Sequence, residues 1–458
     1  MKINYLIMAA ALLTAGSCST GESYLQEIQV TNDLSKNHDL DNNDNFSPDG
    51  KWLVYDTRNE KTAIAGCSSI ERVNIETGKT EVLYSIPDNH DYGPGAGAVS
   101  YHPFENKVIF IHGLPDCSPE NHYQQWRRTG VIVDADRPGI GINMDSRDVT
   151  FKYSPGALRG GTHRHEWSRD GRFIGYTYND AVMKKLEDST GTKWNLRTIA
   201  VSNHLHKVEA VKGRSGENVE GTWFSAVVVR VVPEPRPGSD EISNAASDSW
   251  VGASGYRKTD GSVQRARAFL GRVSSKEGKP VDELFVVDIP EALNVPGEYG
   301  PLEGTRTSFP MPPEGTVQRR LTHTDKTNYP GCSGIVRSSS DGRYIAFCMR
   351  DINGIQQVFI ISPMGGAAKQ VTEHTSDVPG GVRWSPDNNK IIYLWDNSIL
   401  ICELSELPFE KRVRCLTART DEAPSNIVLS NDGTTIAFNR FVRVPESDAK
   451  TKQIFIIK

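Results

Sequence analysis

One short phrase recurs along the chain and limits what it can fold into: a serine, any residue, then Asp-Gly or a close variant, followed by an alternating apolar run. It stands at NFSPDGKWLVYDTR (45–58), SYHPFENKVIFIHG (100–113), EWSRDGRFIGYTYND (166–180), RSSSDGRYIAFCMRD (337–351), RWSPDNNKIIYLWDN (383–397) and VLSNDGTTIAFNRF (428–441). Asp-Gly supplies the backbone freedom of a tight hairpin, and period-two apolar residues on either side make two strands. The last three copies start about 45 residues apart, close to the length of one four-stranded propeller blade. One blade cannot bury both of its faces, so the repeat predicts an all-β protein whose blades stack around an axis.

Third and fourth strands follow the motif, as in QQVFIISPMGGAAKQVT (356–372) and ERVNIETGKTEVLYS (71–85). Between Gly171 and Asp341 the motif is missing. There GTWFSAVVVRVV (221–232), RARAFLGRV (265–273), ELFVVDIP (283–290) and VQRRLTH (317–323) read as the four strands of one degenerate blade, with long polar insertions near 233–263 and 291–316. The count is a seven-bladed β-propeller of four-stranded antiparallel blades; dividing the degenerate region differently gives six or eight. SYLQEIQVTND (23–33) is similar to the fourth strands and KQIFIIK (452–458) to a third strand. The N-terminal strand is therefore predicted to complete the last blade, which removes an exposed sheet edge.

Composition bounds partners and address. With 37% hydrophobic and 24% charged residues this is ordinary globular material. A net charge of −5 without any long Lys/Arg cluster argues against nucleic acid. The stretch MKINYLIMAAALLTAGSC has a lysine, an apolar run too short to remain as a membrane span, and small residues before Cys18. Ala15-Gly16-Ser17-Cys18 resembles a bacterial lipobox. Residues 1–17 are thus expected to be a lipoprotein signal peptide, Cys18 a lipidated N-terminus, 18–23 a tether and 24–458 a single monomeric propeller domain. The expected address is the outer membrane, reached only through the lipid anchor, with a soluble secreted form as the alternative. Six more cysteines remain. Cys332 and Cys348 flank one turn and Cys402 and Cys415 another, which leaves cross-strand disulfides and buried free thiols both open.

The blades, third strands and L-T-x-x fourth strands together resemble the TolB-type propeller superfamily, and within it the YidR-like family, whose function is uncharacterised. The resemblance covers most of residues 25–458 and rests on ERVNIETG, VIFIHG, SPGALRGGTHRHEWS, TYNDAVM, PRPGSDEI, ELFVVDIP, VQRRLTHT and MRDINGIQQVFIISPMGG. A more distant similarity, of fold and general site position, is to oligogalacturonate lyases, which use histidines near the propeller axis, some with a divalent metal.

His163 and His165 stand two apart in a predicted inner strand. Alternation would send both side chains from one face, roughly 7 Å apart at Cα, to meet one metal or one sugar. A metal such as Mn, Ca or Zn would need further ligands, for which His102 and His112 on the neighbouring blade are candidates. The glycines of LRGG before the pair read as freeing backbone for a ligand; packing of the histidines between blades is the competing reading. Arg159 offers a planar fork for a carboxylate. Asn179 and Asp180 end the second strand of the same blade, as substrate contacts or as a turn. In NHYQQWRR (121–128), Tyr123, Trp126, Arg127 and Arg128 combine rings and cations that suit a sugar acid. Tyr329 is a proton-donor candidate, and Asp240 and Glu241 read as a solvated acidic loop. No G-x-S-x-G elbow is present.

Two functions fit these residues. One is an enzyme acting on acidic oligosaccharides, most concretely a β-eliminating lyase at a uronate, with a glycosidase in the same pocket as a close variant: Arg159 or a metal neutralises the carboxylate, and His163, His165 or Tyr329 moves the proton. The other is a non-catalytic propeller that holds an oligosaccharide or an envelope protein.

Overall fold

The computed structural model describes residues 24–208 and 217–458. Cys18 and the predicted signal peptide lie outside the described residues. Seven sheets form the blades. Blade 1 has the strands Trp52–Asp56, Ser69–Asn74 and Thr80–Ser85, and residues 39–46 take the inner position through isolated bridges such as Phe46 to Leu53. Blades 2 to 6 are four-stranded antiparallel sheets with inner strands Ala96–Tyr101, Gly160–Trp167, Ala245–Trp250, Cys332–Ser338 and Arg383–Trp384. Blade 7 is built from Ser425–Leu429, Ile436–Arg443 and Lys450–Ile457, and Ile28–Gln29 adds its outer strand. Ile28 lies opposite Ile456 and Gln29 opposite Phe455, so the ring closes as the sequence predicts.

The core is distributed around the ring. Each neighbouring pair of blades shares an apolar layer, such as Ile109 with Ile174 and Tyr176 between blades 2 and 3, or Phe173 and Val201 with Phe269 and Phe285 between blades 3 and 4. The repeated motif makes the turn from inner to second strand, and its serine holds that turn from within. Ser47, Ser168, Ser339, Ser385 and Ser430 each donate from Oγ to the motif Asp at 2.5–2.7 Å. The same hydroxyl accepts the N–H five residues on, at 3.0–3.1 Å. The Asp carboxylate accepts the N–H two residues beyond itself, at 3.0–3.1 Å. The next residue has positive φ, 71–75° at Gly50, Gly171, Gly342 and Gly433, which glycine adopts without a Cβ penalty.

The degenerate region differs from the sequence reading. Phe224–Val227 is the outer strand of blade 3, not the inner strand of blade 4. Blade 4 begins inside the supposed insertion, at Ala245–Trp250, and continues through Ala266–Ser274, Pro280–Asp288 and Val317–Arg320. That inner strand reads AASDSW because it lines the axis, where polar side chains are tolerated, so it lacks the apolar alternation that marks a strand. Blade 3 also carries a helix, Ala181–Thr190, capped by the Asp180 carboxylate on the N–H groups of Val182 and Met183. Of the two readings left open for the cysteine pairs, the free thiols hold at three positions: Cys332, Cys348 and Cys402 are buried and unpaired, so neither cross-strand disulfide forms, and burial raises the first two to about 12 and Cys402 to about 11.

The inner strands share one more feature. Each blade has a residue with positive φ beside the axis: Asp44, Ala98, Arg164, Ser247, Gly334, Gly381 and Asn426, at 50–78°. In blades 2, 3, 4, 5 and 7 it falls at a register shift against the second strand. These are bulges, and a bulge re-aims the side chains after it.

Candidate anion-binding site at the channel mouth

The bulge at Arg164 breaks the alternation on which the two-histidine face depended. His165 turns between blades 2 and 3, fully buried, with Nε2 2.9 Å from Thr162 Oγ1 and its ring against Tyr176. Gly130 opposite makes room for it, because a Cβ there would lie 2.7 Å from Nε2. Burial lowers this imidazole to about 3, so it is a neutral packing residue. His102 sits at the other end of its blade. Its Nδ1 accepts the N–H groups of Phe104 and Glu105, and its ring packs on Trp167. His112 bonds Tyr84 and the carbonyl of Gly113. His102, His163 and His165 therefore do not converge, and among the described residues no three His, Cys, Asp or Glu side chains are grouped as a metal requires. Among the described residues, these histidines do not make the divalent-ion site that their spacing left open.

Arg159 and Asp180 are also placed otherwise than the sequence suggests. Both are fully buried and bonded to each other, Nε and Nη2 to Oδ2 at 3.1 and 2.8 Å. Arg159 also donates to the carbonyls of Thr305 and Ser308, and so pins the 291–316 segment to blade 3. Its fork already holds a carboxylate, that of its own helix cap. Arg127 is likewise spent, on Asp116, Glu217 and two loop carbonyls. Trp126 lies under Lys184. Tyr329 is on blade 5, with its ring against Gly354, two blades from His163. The LRGG glycines serve packing: a Cβ on Gly160 would lie 1.9 Å from the Asn179 carbonyl, and one on Gly161 2.2 Å from that of Gln125.

What remains is a compact cationic group where the inner strand of blade 3 begins. Arg128, the first residue of the strand Arg128–Asp134, is buried. Its Nη1 donates to the Tyr123 hydroxyl at 2.9 Å, while Nε and Nη2 have no acceptor among the described residues. Arg197 is half-buried and oriented by Asn179, whose Oδ1 accepts from its Nε at 3.1 Å. Burial and the neighbouring Arg128 lower its guanidinium. His163, half-buried, has an unpartnered Nδ1. Burial first, and then Arg128, Arg197 and Arg164, hold its imidazole well below the usual range. Two guanidiniums, a neutral imidazole and a phenol thus lie near enough to act on one another electrostatically or by hydrogen bond.

Further arginines follow along the axis. Arg337 is buried with Nε and Nη2 unpartnered and lies 4.0 Å from Glu166; burial, with Arg164 nearby, lowers it to about 10. Burial and the charges of Arg337 and Arg164 hold Arg383 far below its ordinary value. Arg267, by contrast, has its charge matched: it passes over Gly175 to bind Asp248 and Glu166, although its Nη1 is left without a partner among the described residues. Sequence reasoning missed Arg164, Arg197, Arg337 and Arg383.

Fold and site together define a closed seven-bladed propeller with incompletely matched arginines where the inner strand of blade 3 begins. Residues 95–217 match a family model described as a protein of unknown function, DUF3748. The uncharacterized protein YidR of Escherichia coli K12 is 37% identical over 412 residues, covering 88% of this chain and 92% of the relative. The chain belongs to the YidR family. Among solved structures, polysaccharide lyase Uly1 aligns with TM-score 0.47 at 12% identity over 89% of this chain and 88% of that one. A putative TolB from Agrobacterium tumefaciens aligns with TM-score 0.38 at 14% identity over 85% and 97%.

Proposed function

We propose that the protein binds an acidic oligosaccharide at the channel mouth and cleaves it by β-elimination beside a uronate. The observation that carries the reading is Arg128, a buried guanidinium with two donor nitrogens left without a partner, since a buried charge-bearing donor unmatched by an acceptor is costly. A uronate carboxylate between Arg128 and Arg197 would satisfy both, and its neutralised charge makes the adjacent C–H more acidic.

The neutral His163 is the proton acceptor. Burial is the larger cause of the depressed imidazole, and a seated carboxylate would cancel the smaller part due to Arg128 and Arg197, so the base strengthens in that measure as substrate binds. His163 takes the proton alpha to the carboxylate, the carbon–carbon double bond forms, and the glycosidic carbon–oxygen bond beta to it breaks. The Tyr123 hydroxyl, bonded to Arg128, gives its proton to the departing oxygen. This assignment puts Tyr123 in the role first sought at Tyr329. The N-terminal leader supports placing this activity in the cell envelope, with the protein held by a lipid on Cys18.

The test is to incubate the purified protein with uronate-containing oligosaccharides and follow unsaturated product by ultraviolet absorbance. Product should appear with or without chelator, because guanidiniums supply the charge, and Arg128→Gln should reduce the rate at least about a hundredfold. Saturable binding of the same oligosaccharides with no product would reduce the protein to a binder. Neither binding nor product would overturn the reading.

A further inference from the structure

On the opposite face of the ring, where the motif turns lie, a cleft of about 480 Å³ opens between blades 2 and 3. This volume falls within the ~300–1,000 Å³ of small-ligand sites. Its floor is aromatic. Trp167 and Trp223 meet edge to face at 5.6 Å, His204 continues the row at 4.9 Å from Trp223, and His102 lies 4.6 Å from Trp167. Two isoleucines of the outer edge of blade 2, Ile140 and Ile142, line it while 62% and 52% exposed.

The polar groups are balanced. Glu105 is paired with Lys107, and Asp134 with Arg137, so the rim offers fixed donors and acceptors without net charge. One donor is left over: Trp167 is 4% exposed, and its indole Nε1 has no acceptor among the described residues. A buried unmatched N–H costs about 1–3 kcal/mol.

The geometry points to a second binding site in this cleft, for a short uncharged saccharide stacked on the Trp223 ring, with one of its oxygens accepting from Trp167 Nε1. Ring faces take the C–H side of a sugar, and paired carboxylates and cations take its hydroxyls. The mouth of the axial channel is the reverse case, with unpaired cations and a demand for an anion. This site is independent of the one proposed above and makes no use of Arg128 or His163.

The experiment is calorimetric and fluorimetric titration of the full protein with maltotriose, cellotriose and N-acetylchitotriose. One of these should bind saturably and change tryptophan emission. Affinity should fall at least tenfold in Trp223→Ala and in Ile142→Arg and be unchanged in Arg128→Gln. Ile142→Arg guards against a folding defect, because that side chain is exposed. Silence from all three saccharides overturns the proposal, as does binding that survives Ile142→Arg and Trp223→Ala. An apolar peptide that fills the cleft while the saccharides stay silent overturns it too.

Discussion

A charged side chain in this protein can be sorted by asking whether its own fold has already matched it. Arg159 and Arg128 are both buried arginines of the same face, and both are candidates from the sequence. Arg159 is saturated by Asp180 and two carbonyls, whereas Arg128 keeps two nitrogens free. Their substitutions should therefore separate. Arg159→Ala strands a fully buried carboxylate and should cost about 3–5 kcal/mol in urea unfolding. The same change should leave oligosaccharide affinity unaltered in whatever fraction folds. If affinity disappears while stability holds, Arg159 belongs to the site.

At the level of the strand and turn, most of the architecture was legible and one blade was not. The motif turns show in the sequence because Ser, Asp and Gly each do a separate job at fixed spacing. The inner strand of blade 4 escaped because strand patterning relies on one apolar face, and an axial strand such as AASDSW has little of one. The two-histidine face failed because period two holds only without a bulge, and nothing in THRHE announces that Arg164 takes positive φ. Two of the missed cations, Arg337 and Arg383, did leave a trace. Two positions before the motif serine stand Asn45, Glu166, Arg337 and Arg383, with Val428 of blade 7 the exception, so reading the repeats against one another picks out a position that is polar in four of the five. The turn itself makes a sharp prediction. Gly50 and Gly342 share φ of 72°, but a Cβ on Gly50 meets nothing within 4 Å, and one on Gly342 would sit 2.2 Å from the Gly255 carbonyl. Gly50→Ala should cost only the backbone penalty, about 1 kcal/mol. Gly342→Ala should cost several-fold more, as read from thermal or urea midpoints; equal costs would mean that the blade 4–blade 5 approach is not as described.

Over the whole molecule, burial of neutral imidazoles sets the response to acid. Burial holds His38 and His374 at about 4 and His165 at about 3, and keeps His102, His112 and His163 below the ordinary value of 6.5. Unfolded, each takes a proton as the pH falls through about 6.5; folded, it refuses one until the pH is lower. Their contribution is complete above about pH 6.5 and is lost on the way down, at about 1.4 kcal/mol per pH unit for each uncompensated histidine. Burial raises Asp145 to about 7 and also lifts Asp39 and Asp44, which act in the opposite sense. Six histidines outweigh three carboxyls, so the urea midpoint should be lower at pH 5 than at pH 7. A higher midpoint at pH 5 would contradict the burial of these rings.

Ring closure has a temporal side. The pairing partner of Ile28 is Ile456, so one of the first ordered segments to be synthesised waits for one of the last. Contacts between such distant parts of a chain form slowly, because the loop between them must be ordered first. Until residues 450–457 have left the ribosome the polypeptide can make separate sheets but no torus. That delay is written into which strand meets which.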